Sequence, residues 1–160
     1  MLAQDPPMNL AKHQLIKLLT SLSLAAKEIS QNLFDLLIVK AVNLSVQYGN
    51  LPESAYAYAA YSIMVAAVFE DDRSSEEFGE LAFSLSKKFN HPVSQCLTYN
   101  LYANSISIWF KPISFANSIN SHGYEIARKA GELGLARDLL MNQCVNYFYQ
   151  GKFLAHLMAD

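Results

Sequence analysis

Charge is what this 160-residue chain has least of: 16% of its residues are charged, while 52% are hydrophobic. Average globular domains carry about 25% charged residues, so a chain this poor in solvating groups is expected to pack against more of itself or against a partner. Its bases are few and scattered between Lys12 and Lys152, never more than two in a row, and the formal net charge is -2. That leaves no electrostatic footprint for a phosphate backbone and excludes nucleic acid as the expected partner. The abundant apolar surface also excludes disorder, because its burial offsets the entropy of folding.

Cysteine is nearly absent. Cys96 and Cys144 are far apart and neither belongs to a CxxC motif. Both fall in apolar helical stretches and are expected to be buried free thiols in a reducing compartment, although spacing leaves a disulfide between them open. Glycine and proline are sparse, at 6 and 5 residues, and no G-x-x-x-x-G-K-[ST] or G-x-G-x-x-G loop is present to hold a nucleotide.

Long apolar runs are missing too. The uncharged stretch Ala55 to Phe69 falls short of the roughly 20 residues that a bilayer requires. "LIKLLTSLSLAA", Leu15 to Ala26, looks like the core of a signal peptide but is interrupted by Lys17 and preceded by Asp5 and two prolines. It reads as a helix rather than a leader. The expected setting is therefore cytoplasmic, with no membrane insertion, and the sequon Asn43-Leu44-Ser45 is taken as chance.

What is present is helical spacing. Leu15, Leu18, Leu19, Leu22, Ala26 and Ile29 form one stripe of a first helix. A second helix, capped by Ser30 or Asn32, has a broad apolar face from Leu33 to Tyr48 and stops at Gly49. Asn50 is expected to open a third helix in a capping box with Glu53, with Pro52 in the first turn, where its missing N–H costs nothing. Ala55, Ala57, Ala59 and Ala60 would let neighbouring backbones approach it closely, with tyrosines filling the gaps.

After the polar turn Glu70 to Ser74, a fourth helix carries Phe78, Leu81, Ala82, Leu85 and Phe89. Acids lie early on its other face and bases late, as the helix dipole prefers. A fifth is expected from Pro92 to about Phe110, although "SISIWF" alternates like a strand; the helical lead-in and Pro112 favour the helix. A sixth closes at Gly134, and a seventh from about Leu135 carries Leu139, Leu140, Cys144, Tyr147 and Phe148.

The pattern Asn-x-Pro-x-Ser occurs at residues 50 to 54 and again at 90 to 94. Aligning Phe78-Gly79 with His122-Gly123 gives a period of about 40 to 44 residues, which signals stacked helical hairpins. The expected fold is all-α: about seven helices in a right-handed, tetratricopeptide-like solenoid. Residues 1–7 are expected to be a disordered tail and residues 8–160 one solenoid segment. Lys152 to Asp160 reads as an eighth helix cut short.

No catalytic, cofactor-binding or metal site emerges. Ser84-Leu85-Ser86-Lys87 fits S-x-x-K, in which a lysine activates a serine, and Tyr102-Ala103-Asn104 could stand for its companion motif, but there is no K-T-G. His13, His91, His122 and His156 are too dispersed for a metal site, His91 reading as solvated and His122 as a core residue. Glu70, Asp71 and Asp72 lack the alternating ligands and central glycine of a calcium loop. The aromatic helices Tyr56 to Phe69 and Tyr99 to Trp109 could line a ligand groove, although aromatics at helical spacing are more often core.

From Ile38 to Asn90 the sequence resembles the helical-repeat region of large bacterial multidomain sensor kinases. The resemblance rests on Val42-Asn43-Leu44-Ser45, Tyr48-Gly49-Asn50, Pro52, Ser54-Ala55, Ala57-Tyr58, Phe78-Gly79 and Lys88-Phe89-Asn90, and on the later "NYFYQGKFLAHL". It departs over residues 95 to 121, which are richer in Ser and Asn. Such kinases combine serine/threonine kinase, AAA-type ATPase, GAF and often histidine kinase domains, whose catalytic motifs would lie outside these residues. The resemblance implies a non-catalytic interaction or scaffold module that needs no cofactor and takes proteins as partners. The alternative is a small-ligand sensor with an aromatic groove. Exposed end helices predict self-association.

Overall fold

The computed structural model describes residues 7–151, with side chains from Leu10 onward. The tail expected over residues 1–7 and the further helix from Lys152 fall outside that range, apart from Pro7, which opens the first helix. Every regular element among the described residues is helical. These are α1 Pro7–Ala26, α2 Gln31–Tyr48, α3 Pro52–Phe69, α4 Asp72–Phe89, α5, α6 Ile113–Ala130 and α7 Leu133–Tyr149. Helix α5 has three parts: Pro92–Leu101, a π-helical turn Tyr102–Ile106, and a last turn Ser107–Phe110.

Local chemistry sets most of the boundaries. Ser30 caps α2 by accepting from the N–H of Leu33, and Gly49, at φ 101°, ends it. The cap of α3 differs from expectation. Leu51 is the N-cap, and its N–H donates to Ser54 Oγ at 2.9 Å. Glu53 makes no capping bond because the N-cap is Leu51, which puts Ser54 at the position that reaches back to the cap amide. Asn50 instead accepts from the Tyr58 hydroxyl at 3.0 Å.

Asp71 caps α4 through the N–H of Ser74 at 3.0 Å, and the Ser74 hydroxyl together with that N–H holds its carboxyl below the ordinary value. His91 caps α5, its Nδ1 accepting from the Ser94 N–H. Helix α6 closes at Gly131, left-handed at φ 78°, rather than at Gly134, which lies in the first turn of α7.

Turns of two to four residues make successive helices antiparallel. Each odd-numbered helix packs on the next odd-numbered one and on its even-numbered neighbours, so α1, α3, α5 and α7 form one row of like-directed helices. This is the stacked-hairpin arrangement that the period predicts, and hydrogen bonds along the row repeat it. Ser94 donates to the Pro52 carbonyl, Asn142 to Asn100 and Asn146 to Asn104, each across 42 residues.

The core centres on the N-terminal half of α3, where Ser54 to Ala60 are all buried. Small residues bring α3 and α4 together: Ser62 Oγ donates to the Ser75 carbonyl at 2.7 Å, and Gly79 lies against Ser62 as well as against Ile106 of α5. Phe83 stacks on Tyr102 with ring centroids 4.5 Å apart. A large side chain buried in this way contributes about 1.5–3 kcal/mol.

The end helices depart from expectation. In α1 the buried positions are Ile16, Leu19, Thr20, Ser23 and Ala26, while Leu15, Leu18, Leu22 and the following Ile29 are exposed. In α7 only Ala136, Leu139 and Asn146 are buried, and Leu140, Cys144 and Phe148 face outward. Each end helix has neighbours on one side only, so its outer apolar residues stay exposed among the described residues.

Candidate functional site

The most distinctive surface is built at, and in one case just past, the C-terminal ends of the odd-numbered helices. Ile29, Phe69, Trp109 and Tyr149 follow one another at steps of 40 residues, and all four are exposed, at 80%, 66%, 78% and 74%. Beside them Val68, Ile108 and Phe148 repeat the same step and are also exposed. An exposed apolar side chain is ordinary when it stands alone, whereas a row of them marks an interaction surface.

Val68 and Trp109 of these rows border depressions in the surface. A depression of about 430 Å³ lies between the α1–α2 turn, α3 and α5; Lys27, Gln31 and Phe34 form one wall, Ile63, Met64 and Ala67 the floor, and Leu101 and Ser105 the far side. A second depression of about 390 Å³ lies between α3, the start of α4 and the end of α5, with Trp109, Phe110 and Asp72 at its edge. The two share Ile63, Ala67 and Ser105. Together they form one apolar groove, which with the exposed residues above is here called the rim.

The π turn is what aims α5 at this rim. The Ser107 N–H bonds to the Tyr102 carbonyl five residues back, so the residues beyond it are rotated relative to an uninterrupted α-helix. The turn is held by amides. Asn104 donates to Asn120 at 3.0 Å and accepts from it at 2.8 Å, and also donates to the Asn100 carbonyl at 2.9 Å. Asn142 joins from α7 by donating to Asn100 at 2.9 Å. Tyr102 donates to Glu80 at 2.8 Å, and desolvation together with that carboxylate pushes its pKa well up.

Acids outnumber bases at the rim, with Lys27 on one wall of the larger depression. Glu28, Glu70, Asp71 and Asp72 are all exposed in the turns. Arg73 pairs with Glu77 at 3.1 Å, and Lys111 with Glu80 at 3.3 Å. Two of the local cations are thus neutralised within the chain, leaving the α3–α4 turn acidic.

No known family model, curated protein or solved structure matches the chain.

The motifs weighed from sequence are not assembled into a site. Ser84 is exposed, and Lys87 places its Nζ 3.8 Å from the centroid of the Phe83 ring. His13 contacts the Tyr48 carbonyl at 3.1 Å, and His91 is a cap. His122, expected in the core, is exposed with its ring 5.9 Å from that of Tyr99, because the inward face of α6 is carried by Ile119, Asn120 and Gly123. His156 lies outside the described residues.

Among the described residues no group of three or more His, Cys, Asp or Glu is placed to hold a metal ion, and no helix is long and apolar enough to cross a membrane. Both described cysteines are free. Cys96 is buried and donates to the Gly123 carbonyl at 3.4 Å, and burial pushes its thiol up to about 11. Cys144 is exposed, contrary to expectation. Of the aromatic helices, Tyr56, Tyr58 and Tyr102 are all packed in the core, and Tyr56 also lines the larger depression.

Proposed function

We propose that the chain is a non-catalytic helical-repeat module that holds a protein partner, working in the cytoplasm and belonging to or derived from a bacterial multidomain signalling kinase. Its hairpins would wind in the right-handed sense of tetratricopeptide-like solenoids. The observation that carries the interaction reading is the apolar rim: four large side chains, each more than half exposed, recur at one repeat period at or just past the C-terminal ends of like-directed helices. Burial of such a surface is the main driving force of protein association. The kinase context rests on the resemblance over Ile38 to Asn90.

The purified chain should neither hydrolyse ATP nor give a binding signal with nucleotide in calorimetry; tight nucleotide binding would sink the non-catalytic reading. Neighbouring coding sequence with kinase, AAA-type ATPase and GAF segments is expected, and its absence would remove the kinase context while leaving the interaction reading intact.

The larger depression favours a second reading, a small-ligand sensor. Its volume of about 430 Å³ lies within the range of roughly 300–1,000 Å³ typical of small-molecule sites. An apolar floor edged by Lys27, Gln31 and Asp35 suits an amphiphilic metabolite. A metabolite panel should then raise the melting temperature of the chain, and a flat response across the panel would discard this reading.

A further inference from the structure

We propose that a separate cavity, between α4, α5 and α6, is a binding site for a small aromatic carboxylate that carries a ring N–H. The cavity measures about 360 Å³, within the range of roughly 300–1,000 Å³ typical of small-molecule sites. None of the residues lining it lines either depression of the rim, so the proposal stands apart from both readings above.

The walls select a flat apolar body. Phe83 of α4, Tyr99 of α5 and Phe115 of α6 line the cavity as one cluster, the Phe83 ring centroid standing 5.3 Å from that of Tyr99 and 6.4 Å from that of Phe115. Phe83 and Phe115 are only half-buried, which leaves part of each ring free for a further aromatic group to stack on or meet edge to face. Tyr99, Ile119 and Gln95 are buried and form the floor. Gln95, 5% exposed, is the polar element there. Its Nε2 donates to the Tyr99 hydroxyl at 2.9 Å, while its Oε1 is buried and accepts from no group among the described residues. A buried acceptor without a donor is destabilising. A ligand N–H brought to this floor supplies the missing donor, the amide turning about its last side-chain bond to meet it.

The mouth selects an anion. Lys87 and His122 line it and are exposed. Lys87 makes no ion pair among the described residues, and its Nζ rests 3.8 Å from the centroid of the Phe83 ring, which keeps the charge over the cavity wall. No Asp or Glu lines the cavity. The acids one turn away on the same helices are already taken, Glu80 by Tyr102 at 2.8 Å and Lys111 at 3.3 Å, and Glu125 by Arg128 at 2.9 Å. Aromatic walls alone would also suit an organic cation, but Lys87 holds that place and repels a second positive charge. A carboxylate at the mouth instead pairs with the Lys87 ammonium, and the His122 imidazole offers it an N–H donor.

An indole with a short acidic arm carries these groups in the required order, and three probes separate them: indole-3-acetate; benzofuran-3-acetate, which has an ether oxygen for the N–H; and tryptamine, which has an ammonium for the carboxylate. Indole-3-acetate should bind saturably in calorimetry, more weakly as salt rises, and should shift the NMR methyl signals of Ile119. Benzofuran-3-acetate should bind at least about threefold more weakly and tryptamine at least about tenfold. Lys87→Gln, at an exposed site, should weaken indole-3-acetate at least about threefold with far-UV circular dichroism unchanged. Lys88→Gln, at the neighbouring exposed lysine outside the cavity, should leave its affinity as it was.

Absence of saturable binding by indole-3-acetate overturns the proposal. So does tryptamine or benzofuran-3-acetate binding as tightly as the indole acid, or an affinity that Lys87→Gln and Lys88→Gln lower alike. NMR shifts confined to the methyls of Ile63 and Met64 overturn this site and move the ligand to the larger depression of the rim, in favour of the small-ligand reading given above.

Discussion

Gly79 of α4 lies so close to Ile106 of α5 that a Cβ built on it would stand 2.7 Å from Ile106 Cγ2. The contact joins two hairpins at the point where the π turn ends. Gly79→Ala would gain roughly 1 kcal/mol of helix propensity but must push a buried, β-branched side chain aside, at about 1–3 kcal/mol. A net loss is expected in urea denaturation. Gly123→Ala, whose Cβ would meet the Leu139 side chain at 3.1 Å, should cost less, and the reverse order would show that the α4–α5 seam is the looser one.

The amide cluster should behave as one unit. Asn120 is fully buried, and Asn104 is its partner in both directions. Asn104→Ala strands a buried amide and should cost about 1–3 kcal/mol. Combined with Asn120→Ala the two losses should fall short of additive, with a coupling of roughly 0.5–3 kcal/mol. Additive losses would mean that the paired geometry contributes nothing.

Alkaline pH should unfold the chain through its tyrosines. Tyr56 is pushed up to about 12, chiefly by desolvation, and Tyr58, Tyr99 and Tyr102 are raised for the same leading reason. The folded state therefore holds protons that the unfolded state has already released. Stability is fully present below the unfolded tyrosine value of about 10 and is lost as pH rises from there toward the folded value. Tyrosinate absorbance should rise together with the loss of helix, and Tyr56→Phe should flatten part of the dependence. Full ionisation with the helix signal intact would contradict this.

The two thiols should separate by reactivity. Cys144 is exposed, whereas Cys96 is buried and raised by desolvation, and only the thiolate attacks a disulfide reagent. One thiol should react promptly in the native chain and a second only in denaturant. Prompt reaction of both would indicate that the α5–α6 seam opens readily.

Punctuation made the fold legible. Gly49, the prolines at 52 and 92, and Asp71 each carry a backbone requirement that tertiary contacts do not override. The helical spacing of the apolar residues then reproduces all seven helices and their stacking. Periodicity could not reveal which stripe of α1 faces inward. Ile16, Leu19 and Ser23 mark that face as well as Leu15, Leu18 and Leu22 mark the other, and only the position of α2 and α3 chooses between them.

The rim was within reach of the same 40-residue step that relates Asn50 to Asn90. It was overlooked because large apolar residues at helical spacing are read first as core. The π turn had little signal beyond the dense Ser and Asn content of α5 and α6. Its amide partners meet only when α6 and α7 fold against α5.

The π turn also divides labour along a single rod. In a regular helix each residue advances the side chain by about 100° around the axis, so an unbroken α5 that faced Asn100 and Asn104 toward α6 and α7 would carry Trp109 to a different bearing. The extra residue resets the phase, letting the first half of α5 read one neighbour while the last turn addresses another. Excision of one residue from Tyr102–Ile106 would leave the helix longer in register and shorter in reach, swinging Trp109 out of line with Phe69 while the rest of the rim stayed in place.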